Sequence, residues 1–339
     1  MKRLLLWLLI LVLVTAAGLV AWVSLEASRP YKGYSGTEQF VDIPVGAGLS
    51  SIGRRLVQSG VVRHEIVFRV EVARSGAGRR LQAGEYRFDS PVTVAEVVAK
   101  LARGDVYLRP ITFREGLTIR EMAEVYEQRG FGTAAEFRAA TKAAHLVRAL
   151  DQDARDLEGY LFPDTYALPR RATAEQLVAR MIGELEKVLT PELRQRAAAR
   201  GLSVRELVTL ASIVEKETGK AEERPLVAAV YTNRLKIHMP LQCDPTVLFA
   251  LEKAGNFSGN IRRDDLQIDS PYNTYRYPGL PPGPIAAPGR ASLEAAASPA
   301  SVPYFYFVSR NDGSHVFSTT LAEHNRNVYE FQKKPNRRP

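Results

Sequence analysis

The chain has 339 residues, of which 45% are apolar and 24% charged, an ordinary globular composition that excludes a chain disordered throughout. Its 46 Lys and Arg against 37 Asp and Glu leave a net charge of +9, suited to an anionic membrane surface or an acidic polymer. The basic residues are spread out and not interleaved with base-stacking aromatics, which argues against nucleic acid, and a single cysteine, Cys243, excludes an internal disulfide and a thiolate metal cluster.

Lys2 and Arg3 precede an uncharged run from Leu4 to Leu25. Its length suits a bilayer-spanning helix, so residues 1–25 are expected to be a cytoplasmic tip and an uncleaved single-pass anchor. The small residues Thr15-Ala16-Ala17-Gly18 leave a cleavable signal open as the alternative. With an anchor, Lys2 and Arg3 would stay in the cytoplasm and the remainder would face outward, although Arg29 and Lys32 weaken that asymmetry. Residues 26–38 are expected to be a connector.

Residues 39–105 are expected to form a small α+β module. Strands are predicted at 40–43 and 85–88, and helices at 49–59, 64–73 and 94–102. From 106 to 335 a larger α+β region is expected. It opens with a strand over 106–113, followed by helices over 119–130, 134–144, 174–189 and 191–200. Further helices are predicted over 207–218 and 222–235, and a closing one near 321–332. Five helix starts carry a Ser/Thr-x-x-Glu/Gln capping box: Thr93/Glu96, Thr118/Glu121, Thr133/Glu136, Thr173/Gln176 and Ser203/Glu206. VTVAEVVAKL and LTIREMAEVY are alike, hinting at a repeated strand-helix unit over 85–130. Residues 269–290, dense in Pro, Gly, Asn and Tyr, read as irregular. Asp312-Gly313 predicts a hairpin joining strands at 304–308 and 315–318, and Lys333, Lys334, Arg337 and Arg338 read as a frayed tail.

The most informative residue is Glu215, a carboxylate in the apolar run LVTLASIVEKET. At 100° per residue, Leu207, Leu210, Ala211 and Val214 form one stripe, and Glu215 falls inside its arc between Ala211 and Val208. Burial there is expected to raise its pKa toward that of a general acid. The bland alternative is a glutamate that snorkels or pairs with an arginine. Glu217 emerges on the other flank, beside Leu210 and Ile213, so the two cannot act as one close pair.

Other polar groups cluster in loops. LEGYLFPDTY at 157–166 offers acids and aromatic faces to a sugar, or is a structural turn capped by Asp164. Gln242 and Asp244 sit in an expected turn at Pro245, where Gln242 offers amide groups to a hydroxyl-rich ligand. Tyr272, Asn273 and Tyr275 lie in the proline-stiffened stretch from Ser270 to Ile285, a loop long enough to be functional; protein recognition of its prolines is the rival reading. The five histidines form no HExxH pair, so no metal is expected, and no dinucleotide fingerprint, P-loop or GxSxG elbow occurs.

The segments EGYLFPDTY (158–166), LASIVEKET (210–218), NRLKIHMPLQCDPTV (233–247), SPYNTYRYPGLPPGPIAAPG (270–289) and YFYFVSRNDGSHVFSTTLAEHN (304–325), in that order, resemble the YceG-like endolytic murein transglycosylases. The resemblance runs from about Val41 to Tyr329. It implies cleavage of the β-1,4 bond between N-acetylmuramic acid and N-acetylglucosamine in nascent peptidoglycan strands at the inner membrane, leaving 1,6-anhydro ends, beside peptidoglycan synthases and without a cofactor. It assigns the catalytic glutamate to the first of the IVEKE motif, Glu215, as acid and then base. Glu217, Gln242, Asp244, Tyr272, Asn273 and Tyr275 are expected to shape the groove. The small module resembles a LysM-like domain through Ile43, Gly46, Leu49 and Ile52, but lacks the later asparagine-bearing part of that pattern. Two alternatives remain: a muramidase-type hydrolase, which needs a second carboxylate, and a non-catalytic scaffold that binds glycan or recruits a synthase.

Overall fold

The computed structural model of the chain describes residues 2–257, 259 and 261–334. It divides into two compact units, one of residues 1–109 and 167–171, the other of 110–166 and 172–339. The chain passes between them in strands β3 (Leu108–Thr112) and β4 (Thr165–Pro169), which form a two-stranded sheet. β4 lies where only a loop was expected.

The first unit opens with helix α1 (Lys2–Ser28), whose segment Leu6–Ser28 has a mean hydropathy of 2.6 and is long and apolar enough to cross a membrane. The helix continues past Leu25, where the connector was expected to start. Val23 and Glu26 are buried there, and Glu26 meets Arg63 at 2.9 Å while the Trp22 ring lies 5.3 Å from that of His64. Then follow β1 (Gln39–Ile43), α2 (Leu49–Gln58), α3 (Glu65–Arg74), β2 (Gly84–Phe88) and α4 (Val94–Arg103). β1 and β2 pair antiparallel with Val41 opposite Tyr86, so the order is strand, two helices, strand. Leu56, Phe68, Tyr86, Phe88, Val97 and Leu101 close the core of this unit.

The second unit holds α5 (Ile119–Gln128), α6 (Ala134–Ala140), α7 (Ala174–Val188), α8 (Pro191–Ala198), α9 (Val204–Glu217) and α10 (Arg224–Lys236). All five expected capping boxes are made, because Ser or Thr accepts from the N3 amide while the N3 side chain reaches back. A sixth, Thr320/Glu323, opens α13 (Leu321–Val328), which gives way to a single π-turn over Tyr329–Lys333. α9 is the centre of the unit. Every residue from Leu207 to Val214 is buried, and α8, α10, α11 (Asp244–Lys253) and α12 (Arg290–Ala297) pack on it. Even Ser212 is used: its hydroxyl donates to the Thr209 carbonyl at 2.7 Å and accepts from the Ile285 amide at 3.1 Å.

Two of those helices were not expected. Asp244-Pro245 was read as a turn, but proline is tolerated in a first helical turn and the acid there suits the positive end of the helix dipole. Arg290–Ala297 continues a stretch read as irregular, and its four alanines and one leucine have high helix propensity. The expected hairpin is formed by β5 (Tyr306–Ser309) and β6 (His315–Ser318), with Phe307 opposite Phe317. Arg337, Arg338 and the expected boundary at 335 lie outside the described residues.

Glu158 sits against the N-terminus of α5, where both carboxyl oxygens accept from the Ile119 amide at 3.1 and 3.3 Å. Burial outweighs that bond and pushes it from 4.5 up to about 8. Between those values the folded chain keeps a proton that the unfolded chain has lost, so this group makes stability fall as pH rises from about 5 to about 8. Glu158→Gln removes that contribution. The difference in thermal midpoint between variant and wild type should therefore grow in the variant's favour across this range, and a difference independent of pH would contradict it.

Candidate active site

α9 ends at Thr218, whose extended backbone (φ −142°, ψ 132°) turns the chain away just after the two glutamates. Two residues on a helix differ by roughly 200° in direction, so Glu215 and Glu217 enter different surroundings.

Glu215 enters a knot of donors, and its side chain keeps only 6% of its exposure. Oε1 accepts from Arg224 Nη2 at 3.1 Å; Oε2 accepts from the Gly289 amide at 3.0 Å and from Ser292 Oγ at 2.7 Å. Arg224 in turn donates through Nε to Ser292 Oγ at 3.1 Å. A second acid, Glu115, stands 3.7 Å from Arg224. Burial and then the charge of Glu215 push its carboxyl up, while Arg224 pulls it down. Gly289 leaves room for the Glu115 carboxylate, which would have to swing aside for any Cβ at that position. The segment around Glu115 is held by reciprocal backbone bonds, Gly116 N to the Ala287 carbonyl at 2.8 Å and Ala287 N to the Leu117 carbonyl at 2.9 Å. Sequence reading foresaw an arginine partner in kind, but it missed Arg224, Ser292 and Glu115 themselves.

Glu217 enters a cleft of about 400 Å3, shared with Tyr231, Arg234, Gln242, Asp244, Tyr275 and His315. Tyr231 Oη donates to Glu217 Oε1 at 2.6 Å. Burial raises the Glu217 carboxyl above its usual range; bonds from the Cys243 thiol and Tyr231 oppose that rise, and the neighbouring Asp244 adds to it. Gln242 is held in the left-handed region at φ 52°, a costly conformation for a residue with a side chain, with its backbone N–H donating to the Thr274 carbonyl at 3.1 Å. Asp244 accepts from Tyr275 Oη at 2.5 Å. Arg234 is spent on the backbone, donating to the carbonyls of Phe305 at 2.7 Å and Leu241 at 2.6 Å.

His315 reaches the same cleft from β6. Its Nδ1 lies 2.7 Å from Glu223 Oε2 and its backbone amide donates to Glu223 Oε1 at 2.8 Å, which fixes the ring with Nε2 as its remaining nitrogen. Burial would raise Glu223, but the two His315 bonds and one from Thr218 outweigh it and hold the carboxylate below its ordinary range. Nothing in the sequence marked Glu223 and His315 as partners; the expected strand at 315–318 was the one signal available.

The structure thus brings together Glu217, Gln242, Asp244 and Tyr275 of the residues singled out from sequence. Glu215 lies in its knot. Asn273 is fully buried and pins a turn, donating to the Leu266 carbonyl at 3.0 Å and the Ile268 carbonyl at 2.9 Å while accepting from the Tyr275 amide at 3.0 Å. Tyr272 lines a different cleft, with Glu158. Among the described residues no group of three or more His, Cys, Asp or Glu is placed to hold a metal ion.

Residues 41–330 match the model of the YceG-like family. An endolytic murein transglycosylase of Bacillus subtilis is 33% identical over 314 residues, covering 88% of this chain and 86% of that protein. One from Streptococcus pneumoniae strain D39 is 32% identical over 355 aligned positions, covering 96% of this chain, which spans 64% of the pneumococcal protein. A crystal structure of a yceG-like protein from Listeria monocytogenes superposes with a TM-score of 0.58 at 31% identity, covering 86% of this chain and 99% of that one. On these grounds, with the matched region taking in both the module of strand, two helices and strand and the cleft at Glu217, the chain belongs to the YceG-like family.

Proposed function

We propose that this protein is an endolytic peptidoglycan lytic transglycosylase, and that its acid is Glu217 instead of Glu215. The observation that carries the assignment is the Glu217 carboxyl in an open cleft, raised by burial and oriented by Tyr231. Glu215, by contrast, has an arginine, a serine and a backbone amide on its two oxygens, an arrangement that suits an anchor for α9, α10 and α12. The relatives named endolytic murein transglycosylase support the reaction class.

In this reading Glu217 gives its proton to the glycosidic oxygen as the bond from C1 of the muramic residue to that oxygen breaks. An oxocarbenium-like species forms, and the O6 hydroxyl of the same sugar attacks C1. Its proton passes to the Glu217 carboxylate, restoring the acid and leaving a 1,6-anhydro end. A raised acid is what the first step needs near neutral pH. Gln242, Tyr275 and His315 supply polar contacts along the cleft. Asp244 in the same cleft favours one second reading, a hydrolase with two carboxylates that leaves reducing ends.

Lys2 and Arg3, at the start of α1 and ahead of its apolar stretch, support a cytoplasmic N-terminus with the chain beyond α1 outside the membrane, where cutting of nascent strands beside the synthases would take place. The order strand, helix, helix, strand in residues 39–88 supports a LysM-like module. Its role here is to position the catalytic region, which we take to run from about residue 106.

Digesting uncrosslinked peptidoglycan with the full chain in detergent should yield anhydro ends by mass spectrometry; reducing ends would favour the hydrolase. Glu217→Gln should slow cutting by about a hundred-fold or more at unchanged thermal stability. Glu215→Gln should instead lower stability by about 3–5 kcal/mol, the scale for breaking one side of a buried ion pair. A folded, inactive Glu215→Gln beside an active Glu217→Gln would return the acid to Glu215.

Tyr231→Phe removes a bond that favours ionised Glu217. The alkaline limb of the pH–rate profile, where the acid loses its proton, should then move to higher pH, and a limb moving down would count against Glu217.

A further inference from the structure

The two loops that stood out in the sequence, LEGYLFPDTY and the proline-rich stretch after Ser270, are not used by the cleft at Glu217 apart from Tyr275. They meet instead in a second cleft of about 440 Å3, to which one contributes Glu158 and Tyr160, with Asp156 just before it, and the other Tyr272 and Pro282–Pro284. Tyr272 brings an aromatic face to it, backed by the buried Phe249 ring 4.9 Å away, and the Lys253 ammonium stands 5.3 Å from the Tyr272 ring and 5.6 Å from that of Phe249.

The charges around it are mixed. Asp151 is consumed, bound by Arg205 at 2.8 and 2.6 Å and by Tyr160 Oη at 2.6 Å. Lys253 is only loosely held, 3.7 Å from Asp156, with half of its side chain exposed. Arg155 lines the cleft and, among the described residues, forms no ion pair, while Asp153 lines it as an acid. Such groups can also hydrogen-bond sugar hydroxyls, but cations and acids set side by side match in sign a peptide bearing both carboxylates and an ammonium.

α11 measures how far this lies from the chemistry. Asp244 at its first turn lines the first cleft and Lys253 at its last turn lines the second. At ~1.5 Å per residue these helix ends are roughly 14 Å apart. An extended peptide of four residues spans ~13–14 Å. A stem peptide attached to the sugar at Glu217 is therefore long enough to reach the second cleft.

We infer that this second cleft binds the peptide stem of the strand being cut, with Arg155 and Lys253 on its carboxylates and Asp153 and Asp156 on its ammonium group. The inference rests on the peptidoglycan reading above. It makes the enzyme a reader of stems as well as of sugar.

The test uses the full chain in detergent on two substrates, uncrosslinked strands with intact stems and the same strands stripped of peptide by an amidase. Wild type should favour the stem-bearing strands by on the order of ten-fold in kcat/KM, chiefly through KM, as expected for one or two charge-assisted bonds. Arg155→Glu, at an exposed position, should bring that ratio close to one. Equal kcat/KM for both substrates in wild type, or an unaltered ratio in the variant, would overturn the inference. Titration of the isolated stem peptide into the Glu217→Gln protein decides the matter without turnover: saturable binding weakened by adding Arg155→Glu supports the site, and no binding refutes it. If wild type cuts neither strand while the peptide binds, it is the transglycosylase reading that fails.

Discussion

The architecture of the second unit depends on how a carboxylate is accommodated among apolar side chains. α9 is buried from Leu207 to Val214, and Glu215 follows directly, where an unanswered charge would cost several kcal/mol. It is answered from three directions: Arg224 from α10, Ser292 from α12, and the Gly289 amide just before α12. The knot fixes the C-terminal turn of α9 against two neighbours. Because the turn is fixed, Glu217 two residues later has one direction available to it, into the cleft beneath Tyr231. In this account the glutamate that carries structure makes the other usable for chemistry.

Much of this was legible in the sequence where the cause is local. Capping boxes need residues three apart, and all five that were read are made. The apolar stripe of α9 and the divergence of its two glutamates follow from helical periodicity alone. The significance of that divergence was not legible, because it depends on residues far along the chain. Ser292 lies 77 positions from Glu215, and the His315 that fixes Glu223 lies 92 positions from it. Burial inside the stripe fits a working acid and an anchor alike, and two of the partners that bear on the choice, Gly289 and Ser292, lie far along the chain.

The misread elements share one cause. Asp244-Pro245 and the run up to Arg290 were judged by their turn-forming residues, yet proline begins α11 and the glycine at 289 precedes α12. Asn273 and Tyr272 were expected in one groove with Tyr275. Adjacent residues in an irregular loop point in different directions, so Asn273 went to the turn itself and Tyr272 to the second cleft. Polar loop residues announce that a loop has work to do without saying on which side.

The account turns on Glu217 holding its proton in the range where the enzyme must act. Infrared difference spectroscopy of the full chain, titrated with pH and assigned by subtracting Glu217→Gln, reads the carboxylic C=O stretch of that one residue. The account predicts that Glu217 loses its proton above the usual 4.5 of a glutamate, and that Tyr231→Phe moves the transition higher still. Deprotonation at or below the ordinary value would contradict it and leave the cleft without its acid.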